Sequence, residues 1–419
     1  MDDPKRLRRD VAWNLVPVAL LAVVGLGLNI VIGWWGPDAL GAFNLVTPAF
    51  FAFAVLGAGG LQYSVLRSIA EHIEDDARVA TVVVGALVPA VGLAAVAAVL
   101  CFALAGPVGA LVSNDDVTTG LHWVTPGVFC FALNKVLMGV VNGLRRMRAY
   151  AVYTSLRYVL IAVGLAVAWS LQAPADHLAV IWTFAEGLLL LVLIGELLAS
   201  VRLRRAVRWW PWMRTHLDFG LRGLPATLAF EVNSKLDVWL LGVALPESVV
   251  GVYALASSLF EGASQLAIVV QSNLNPLIAR DLTAGRPEAV EAMVKRTRRW
   301  FVPLMVAACA ASIVAYPYVV PWLTGDARFA AGASSFTVLM ISLAVTSPWL
   351  PFNQLLLMAG APGWHTLYIV LWFVFMFVAN YVLIPIYGIL GAAIGTAVTL
   401  AFSVGLLVGL ARWRAKVRL

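Results

Sequence analysis

The chain has 419 residues, of which 62% are hydrophobic and 12% charged, and its formal net charge is +7 at pH 7. This composition is too apolar for a soluble globular protein. The sequence therefore predicts an all-α membrane protein, and the short stretches between its apolar segments exclude an extramembrane catalytic domain.

Twelve apolar segments follow one another, each near the length that crosses roughly 30 Å of hydrocarbon as a helix. They cover residues 11–35, 43–66, 80–105, 120–143, 150–171, 178–201, 218–243, 250–275, 300–321, 331–359, 365–385 and 388–411. The first is too long for the core of a cleaved signal peptide, so we expect it to be retained. The longest loop is predicted at 277–299, with an amphipathic helix over 288–298.

Basic residues gather in alternate loops of this arrangement, which accounts for the net charge without nucleic-acid binding. The basic side carries the N-terminal Lys5, Arg6, Arg8 and Arg9 and the clusters around Arg67, Arg145, Arg204, Arg296 and Arg414. The opposite loops hold only Arg328. By the positive-inside rule, both termini are predicted to be cytoplasmic.

The second half of the chain repeats features of the first at offsets of 208 to 210 residues. Pro17 in NLVP matches Pro225 in RGLP, Gly41 matches Gly251, and the basic run from Arg202 matches the run from Arg412. Six helices return a chain to its starting side, so the halves should share one orientation, with a substrate site between them.

We therefore predict a six-helix lobe at 1–201, a basic cytoplasmic linker at 202–216 and a second six-helix lobe at 217–419. His216, at the end of the linker, is expected at the surface. Pro17 and Pro225 interrupt helical hydrogen bonding at equivalent places, and we interpret them as hinges.

The segment 218–243 carries four ionisable residues inside an apolar run: Arg222, Glu231, Lys235 and Asp237. A charge at that depth costs roughly 2.5 to 3.5 kcal/mol, so such groups face partners or a watery cavity. Glu231 precedes Lys235 by four residues, which places both on one face of a continuous helix and favours an ion pair. Arg222 could instead extend to the cytoplasmic interface.

Lys135 and Arg157 are further cations within apolar segments, and neither has an acid within four residues. Two interpretations stay open. Glu186 and Glu196 could neutralise them, or they could line a cavity and bind an anion. Asp237 and Glu261 are the corresponding acids, each either a proton-coupling group or a structural hydrogen-bonding group.

The sequence favours no enzyme, metal or cofactor site. Its histidines are scattered, its three cysteines lie in apolar segments, and its glycine-rich stretches do not follow strands as phosphate loops do.

The stretch FGLRGLPATLAFEVNSKLDVWLLGVALPESVVGVYALA carries Phe219, Gly220, Pro225, Asp237, Leu241, Gly242, Gly251 and Tyr253. With the stretch Asn380 to Ala393 and the glycines before Leu61, it resembles the polysaccharide transporters of the multidrug/oligosaccharidyl-lipid/polysaccharide exporter (MOP) superfamily. The resemblance implies two six-helix lobes that alternate access and move lipid-linked oligosaccharides of the polyprenyl diphosphate type across the bacterial inner membrane. It also implies cationic residues that receive the diphosphate or acidic sugars.

On this interpretation, Lys135, Arg157, Arg222 and Lys235 bind substrate, and Glu231, Asp237 and Glu261 couple ions or stabilise the fold. Partners would be the anionic lipid-linked glycan, membrane lipids and polysaccharide polymerase or assembly proteins. A proton- or sodium-coupled multidrug antiporter of the same superfamily is the alternative. A membrane glycan polymerase or ligase is a further one, although such enzymes generally use a sizeable outer loop.

Overall fold

The computed structural model describes residues 20, 23–233, 235–415, 417 and 419, without the side chains of 226, 229–233, 276, 362 and 415. Its described residues form helices and no strand. The helices are α1 (Val23–Trp35), α2 (Pro37–Ala58), α3 (Leu61–Glu71), α4 (Asp76–Leu111), α5 (Asp115–Gly143), α6 (Met147–Ser170), α7 (Val180–Ser200), α8 (Trp210–Asn233), α9 (Leu236–Ala244), α10 (Glu247–Thr283), α11 (Pro287–Thr324), α12 (Ala333–Thr346), α13 (Leu355–Met358) and α14 (Pro362–Leu410).

Nine helices of the described residues are long and apolar enough to cross a membrane. One of them, Gly363–Arg414, contains non-helical Gly388 and corresponds to the last two predicted segments. The first predicted segment is represented by α1 and the seventh by α8 with α9. Each of the twelve predicted segments thus overlaps helix, and the all-α membrane fold is confirmed.

Side-chain caps fix several helix starts between these segments. The Asp75 carboxylate accepts hydrogen bonds from the backbone N–H groups of Ala77 and Arg78, at 3.1 and 3.0 Å, and begins α4. Asn114 accepts from Val117 N–H at 3.2 Å and begins α5. These contacts satisfy N–H groups that have no partner within the helix.

Glycines with positive φ interrupt the helical backbone at two places. Gly59 and Gly60 have φ of 57° and 70°, so the segment predicted at 43–66 divides into α2 and α3. Gly388, with φ of 60° and ψ of −133°, bends α14 where the sequence places a short loop. Residues with a side chain rarely adopt these angles, which is why glycine occupies them.

The stretch predicted as a loop at 277–299 is almost entirely helical, and the helix predicted within it at 288–298 is confirmed. Helix α10 continues to Thr283 and α11 begins at Pro287, so only three residues connect them. Proline is well tolerated in the first turn of a helix because its missing N–H would have no partner there. The amphipathic stretch at 288–298 is therefore the start of a 38-residue helix.

Two compact units divide the chain. The first comprises Met1–Leu28 and Ala42–Lys235, and the second comprises Asn29–Gly41 and Leu236–Leu419. These packing boundaries differ from those drawn from the repeat, because α8 packs on α3 and α4 of the first unit. The division at 201 and 217 remains a proposal about which parts were duplicated.

The core of the first unit lies where α3, α4, α5 and α7 meet, and its fully buried members include Leu61, Val65, Val83, Val136 and Leu189. His216 is also buried, contrary to the expectation of a surface position. Its Nδ1 lies 2.8 Å from Ser64 Oγ, and its Nε2 lies 3.2 Å from the Val82 carbonyl oxygen. A histidine with both ring nitrogens engaged fastens α8 to α3 and α4.

In the second unit, the first turns of α2 and α10 meet at two glycines. A Cβ on Gly41 would collide with the Glu247 carbonyl, and a Cβ on Gly251 would collide with the Pro37 carbonyl. The contact is reciprocal. At the 210-residue offset of the predicted repeat, Gly41 corresponds to Gly251 and Pro37 corresponds to Glu247. This pairing is what a duplicated element produces when its two copies pack on each other.

Candidate functional site

The predicted cation Arg157 is held by Glu186 in the first unit. Arg157 lies about 15 Å along α6 from Met147, at ~1.5 Å per residue, well inside the apolar span. Its Nε is 2.7 Å from Glu186 Oε1, and its Nη2 donates a hydrogen bond to Glu186 Oε2 at 3.2 Å. The Nε contact is close but poorly aligned, so it acts as an ion pair more than as a hydrogen bond.

Asn134 of α5 completes this ion pair. Its Nδ2 donates to Glu186 Oε2 at 2.8 Å and to the Glu186 carbonyl oxygen at 2.9 Å. The side chain of Glu186 is fully buried, whereas 17% of the Arg157 side chain remains accessible. A buried carboxylate needs both a counter-charge and hydrogen-bond donors, and these two residues supply them.

Lys135 and Arg157 share one aromatic ring. Lys135 Nζ lies 5.4 Å from the centroid of Phe131, and the Arg157 guanidinium carbon lies 4.8 Å from the same centroid. Cations at these distances are attracted to the face of an aromatic ring. The two cations that were predicted to act together therefore lie in one cluster, and Phe131 is the residue that joins them.

An aromatic layer continues from Phe131. Its ring packs edge-on against Phe50 and Phe51, at 5.6 and 5.4 Å between centroids, and both of these contact Trp182. The Trp182 indole N–H donates to Thr47 Oγ1 at 3.2 Å. We name Asn134, Lys135, Arg157 and Glu186, together with Phe131, the cation cluster.

The other two predicted cations lie elsewhere in the first unit. Arg222 of α8 donates to Asp218, one turn earlier, at 2.8 Å, and the protein leaves both side chains largely uncovered. Lys235 lies in the turn between α8 and α9 and is half-buried. Since α8 ends at Asn233, Glu231 and Lys235 do not lie on one continuous helix as predicted.

Asp237 is the best-defined acid of the second unit. It is 5% exposed, accepts a hydrogen bond from the Tyr253 hydroxyl at 2.6 Å, and accepts another from the Val238 N–H at 2.9 Å. Glu261 is close enough to Tyr253 to interact with it electrostatically. Two residues of the family-like stretch, Asp237 and Tyr253, are thus direct partners.

The remaining predicted residues are less defined. Pro17 and the side chain of Glu231 fall outside the described residues. Pro225 lies within α8, which continues past it. The segment leaves the helical conformation later, at Lys235, so the structure supplies no separate support for a hinge at Pro225.

Sequence reasoning placed Glu186 among possible counter-ions but missed Asn134 and Phe131 as members of the same cluster. The available signal was Asn134 next to Lys135, with Phe131 one helical turn before it. The partner across α7 could not be derived from spacing within one helix. Among the described residues, no group of three or more His, Cys, Asp or Glu side chains could hold a metal ion.

Chemically, the cation cluster combines two fixed positive charges, one carboxylate and an aromatic ring. Glu186 compensates the charge of Arg157. The cluster contains no nucleophile activated by a base.

A scan against protein-family models gives no match, and a search of curated proteins gives none either. Among solved structures, the chain is similar to an inward-facing multidrug resistance MATE family transporter of the MOP superfamily. The TM-score is 0.77 at 16% identity, covering 96% of this chain and 98% of that one. It is also similar to the lipid II flippase MurJ in an inward closed conformation, with a TM-score of 0.77 at 11% identity, covering 96% and 87%.

The chain has the fold of these transporters. A third structure, an outward-facing MATE family transporter, matches with a TM-score of 0.61 at 16% identity, covering 99% of this chain and 96% of that one. At such identities the likeness establishes the fold, and the chemistry must come from the residues of this chain.

Proposed function

We propose that the protein is an alternating-access flippase that moves a lipid-linked oligosaccharide with an anionic headgroup across the bacterial inner membrane. The observation that carries this proposal is the pair of cations, Lys135 and Arg157, gathered around Phe131 inside apolar helices. Two such charges are expensive at this depth and are retained where they serve a pathway for an anion.

A guanidinium and an ammonium recognise phosphate in complementary ways. Arginine offers a planar fork of donors that matches two phosphate oxygens, and lysine adds a compact charge. In the aromatic layer, Phe50 and Trp182 are buried, and Phe51, which is partly exposed, is the member that could contact a sugar ring or a prenyl chain. The similarity in fold to the lipid II flippase MurJ supports the proposal of a lipid-linked oligosaccharide as substrate.

The remaining sequence assignments complete the proposal. Arg222 and Lys235 would guide the headgroup, and Glu231, Asp237 and Glu261 would act as coupling or structural acids. Pro17 and Pro225 would act as hinges. Both termini would be cytoplasmic, and polysaccharide polymerase or assembly proteins would act with the flippase.

A multidrug antiporter is the second candidate, and the likeness to MATE transporters at the same TM-score favours it. Such a protein would use acids instead of cations to bind its cargo. Asp237, which is buried and hydrogen-bonded by Tyr253, is the group that would serve it.

The two candidates are separated by one pair of cell assays. Export of the surface glycan should fall by at least about tenfold in the Lys135→Ala, Arg157→Ala double variant, since each lost charge-assisted hydrogen bond is worth ~1.5–3 kcal/mol. Efflux of a lipophilic cation should be unaffected by overexpression. Normal glycan export in a stably inserted double variant, together with dye efflux that requires Asp237, would support the antiporter instead.

A further inference from the structure

The carboxylate of Glu186 occupies Arg157 in the way an anionic ligand would. Its two oxygens face Nε and Nη2 of the guanidinium, at 2.7 and 3.2 Å. A phosphate presents a pair of oxygens of the same charge and similar spacing to an arginine fork. An incoming anion and Glu186 therefore compete for the same donors.

Displacement would remove the Arg157 guanidinium from the Glu186 carboxylate. The side chain is fully buried, and of the two donors described above for its carboxylate, only Asn134 would remain. An unpaired buried carboxylate costs several kcal/mol, which is enough to favour the neutral acid.

The neutral acid would find an acceptor already in place. Asn134 is 0% exposed, and its Oδ1 is buried without a hydrogen-bond partner while its Nδ2 donates to Glu186. The acid could donate its O–H to Oδ1 while its other oxygen continues to accept from Nδ2, the usual pairing of a carboxylic acid with an amide. Asn134 thus matches both protonation states of Glu186.

We propose that Glu186 is an internal counter-ion that the phosphate group of the transported headgroup displaces, and that Glu186 takes up one proton from water as it is displaced. The inference rests on the proposed function and adds to it the uptake of one proton for each anion bound. It also gives Glu186, which the sequence suggested only as a counter-ion, a role in the transport cycle. Anion and proton binding are then mutually reinforcing, so the affinity for the anion rises as pH falls.

The other groups near Glu186 do not supply this proton. Cys130 of α5 and Tyr158 of α6 are close enough to interact electrostatically with Glu186, but both are neutral in the pH range concerned. Lys135 of α5 faces the same ring as Arg157, and an arginine side chain is not deprotonated in proteins. Glu186 is the member of the cluster whose charge can change.

The chain contains a matched control on the same two helices. Glu196 of α7 is paired with Arg146 and also accepts hydrogen bonds from Tyr153 and Ser200, with Tyr153 at 2.7 Å. It is an acid of the same type, bound to the same kind of cation, two to three turns from Glu186. Glu186→Gln and Glu196→Gln each neutralise one Arg–Glu ion pair, the first fully buried at its carboxylate and the second more exposed.

The test is calorimetric binding of a short-chain prenyl diphosphate sugar to the purified full chain in nanodiscs, between pH 5.5 and 8. This diphosphate diester does not titrate in that range. Titrations in buffers of different ionisation enthalpy count the protons bound with the ligand. Wild type and Glu196→Gln should take up about one proton and bind up to about tenfold tighter per unit fall in pH.

Glu186→Gln should take up no proton, lose the pH dependence, and bind at pH 8 as tightly as wild type binds at low pH. Glu186→Asp, which keeps the acid with a shorter reach, should retain proton uptake and bind the anion more tightly than wild type at neutral pH. Proton uptake that persists in Glu186→Gln, or wild-type binding without proton uptake, would overturn the inference while leaving the proposed function intact.

Two further outcomes separate the sources of the anion. Equal binding of inorganic pyrophosphate would mean that the cluster recognises free phosphate and would overturn the assignment to a lipid headgroup. Absence of any binding of the diphosphate sugar to wild type at every pH would overturn the substrate class and this inference with it.

Discussion

At the scale of single residues, two buried acids in the described helices, Glu186 and Asp237, each contact specific partner side chains. Glu186 is bound by Arg157 and Asn134, and Asp237 is bound by the Tyr253 hydroxyl. The Glu186 carboxylate has both an ion-pair partner and a hydrogen-bond donor, and the Asp237 carboxylate accepts hydrogen bonds. These contacts offset the free-energy cost of burying a charge. Replacing one member of a buried ion pair should therefore destabilise the protein more than replacing both members.

Arg157→Leu should destabilise the fold by about 3–5 kcal/mol at pH 8, because it leaves Glu186 charged and unpaired. Protonation of Glu186 offsets part of this cost, so the loss should shrink as pH falls. The double variant Arg157→Leu, Glu186→Leu should unfold close to wild type. Thermal unfolding in detergent micelles measures all three, and equal losses in the single and double variants would contradict the ion pair's role.

Tyr253→Phe should lower stability by about 1–3 kcal/mol, since Asp237 Oδ2 loses its 2.6 Å donor while remaining buried. Tyr381→Phe serves as the control, because Tyr381 is 66% exposed on α14. The same unfolding assay should show a shift for the first variant and none for the second. A matched shift in both would indicate that the hydroxyl of Tyr253 has no special partner.

At the scale of helices, glycines fix where elements meet. Gly41 and Gly251 let the first turns of α2 and α10 approach until backbone touches backbone. Gly262 lies further along α10, with nothing near the position of a Cβ.

Gly251→Ala and Gly41→Ala should each destabilise the protein by about 1–3 kcal/mol through overpacking, whereas Gly262→Ala should be neutral or slightly stabilising. Reduced unfolding temperatures for the two crossing glycines and an unchanged or raised one for Gly262→Ala would fit this account. If all three variants behave alike, the crossing has no steric basis.

The sequence was sufficient for the all-α membrane fold and for the order of its apolar segments, because long apolar runs and alternating basic loops are both typical of membrane proteins. It was insufficient for the ends of the helices. The hydrophobic pattern does not show that Gly59 and Gly60 have positive φ. The apolar run also ends near Leu277, whereas α10 continues with polar residues to Thr283. The cation cluster could be predicted only in part. The charges of Lys135 and Arg157 identify them in the sequence, whereas the contact between Arg157 and Glu186 depends on how the helices pack.

At the scale of the whole molecule, the fold is that of solved MATE and MurJ transporters, and the distribution of arginines makes its orientation testable. Arg204 and Asp115 are both exposed and fall on opposite predicted sides. Cysteines placed at these positions, in a chain whose three native cysteines are serines, report the side of the membrane by reaction with an impermeant maleimide.

Asp115→Cys should react in intact spheroplasts, and Arg204→Cys should react only after the membrane is opened. The reverse pattern would invert the predicted topology. Labelling of both sites in intact spheroplasts would mean that the predicted helix count between them is wrong.

The central claim is that an anionic lipid-linked glycan crosses the membrane through this protein by way of the cation cluster. The most direct measurement is the translocation rate of a fluorescent prenyl diphosphate oligosaccharide in proteoliposomes, read by an impermeant quencher. The wild-type protein should raise the rate well above that of protein-free vesicles, and Lys135→Ala with Arg157→Ala should remove at least about nine-tenths of the increase. A wild-type rate equal to that of protein-free vesicles, with a lipophilic cation moved by the same preparation, would contradict the claim.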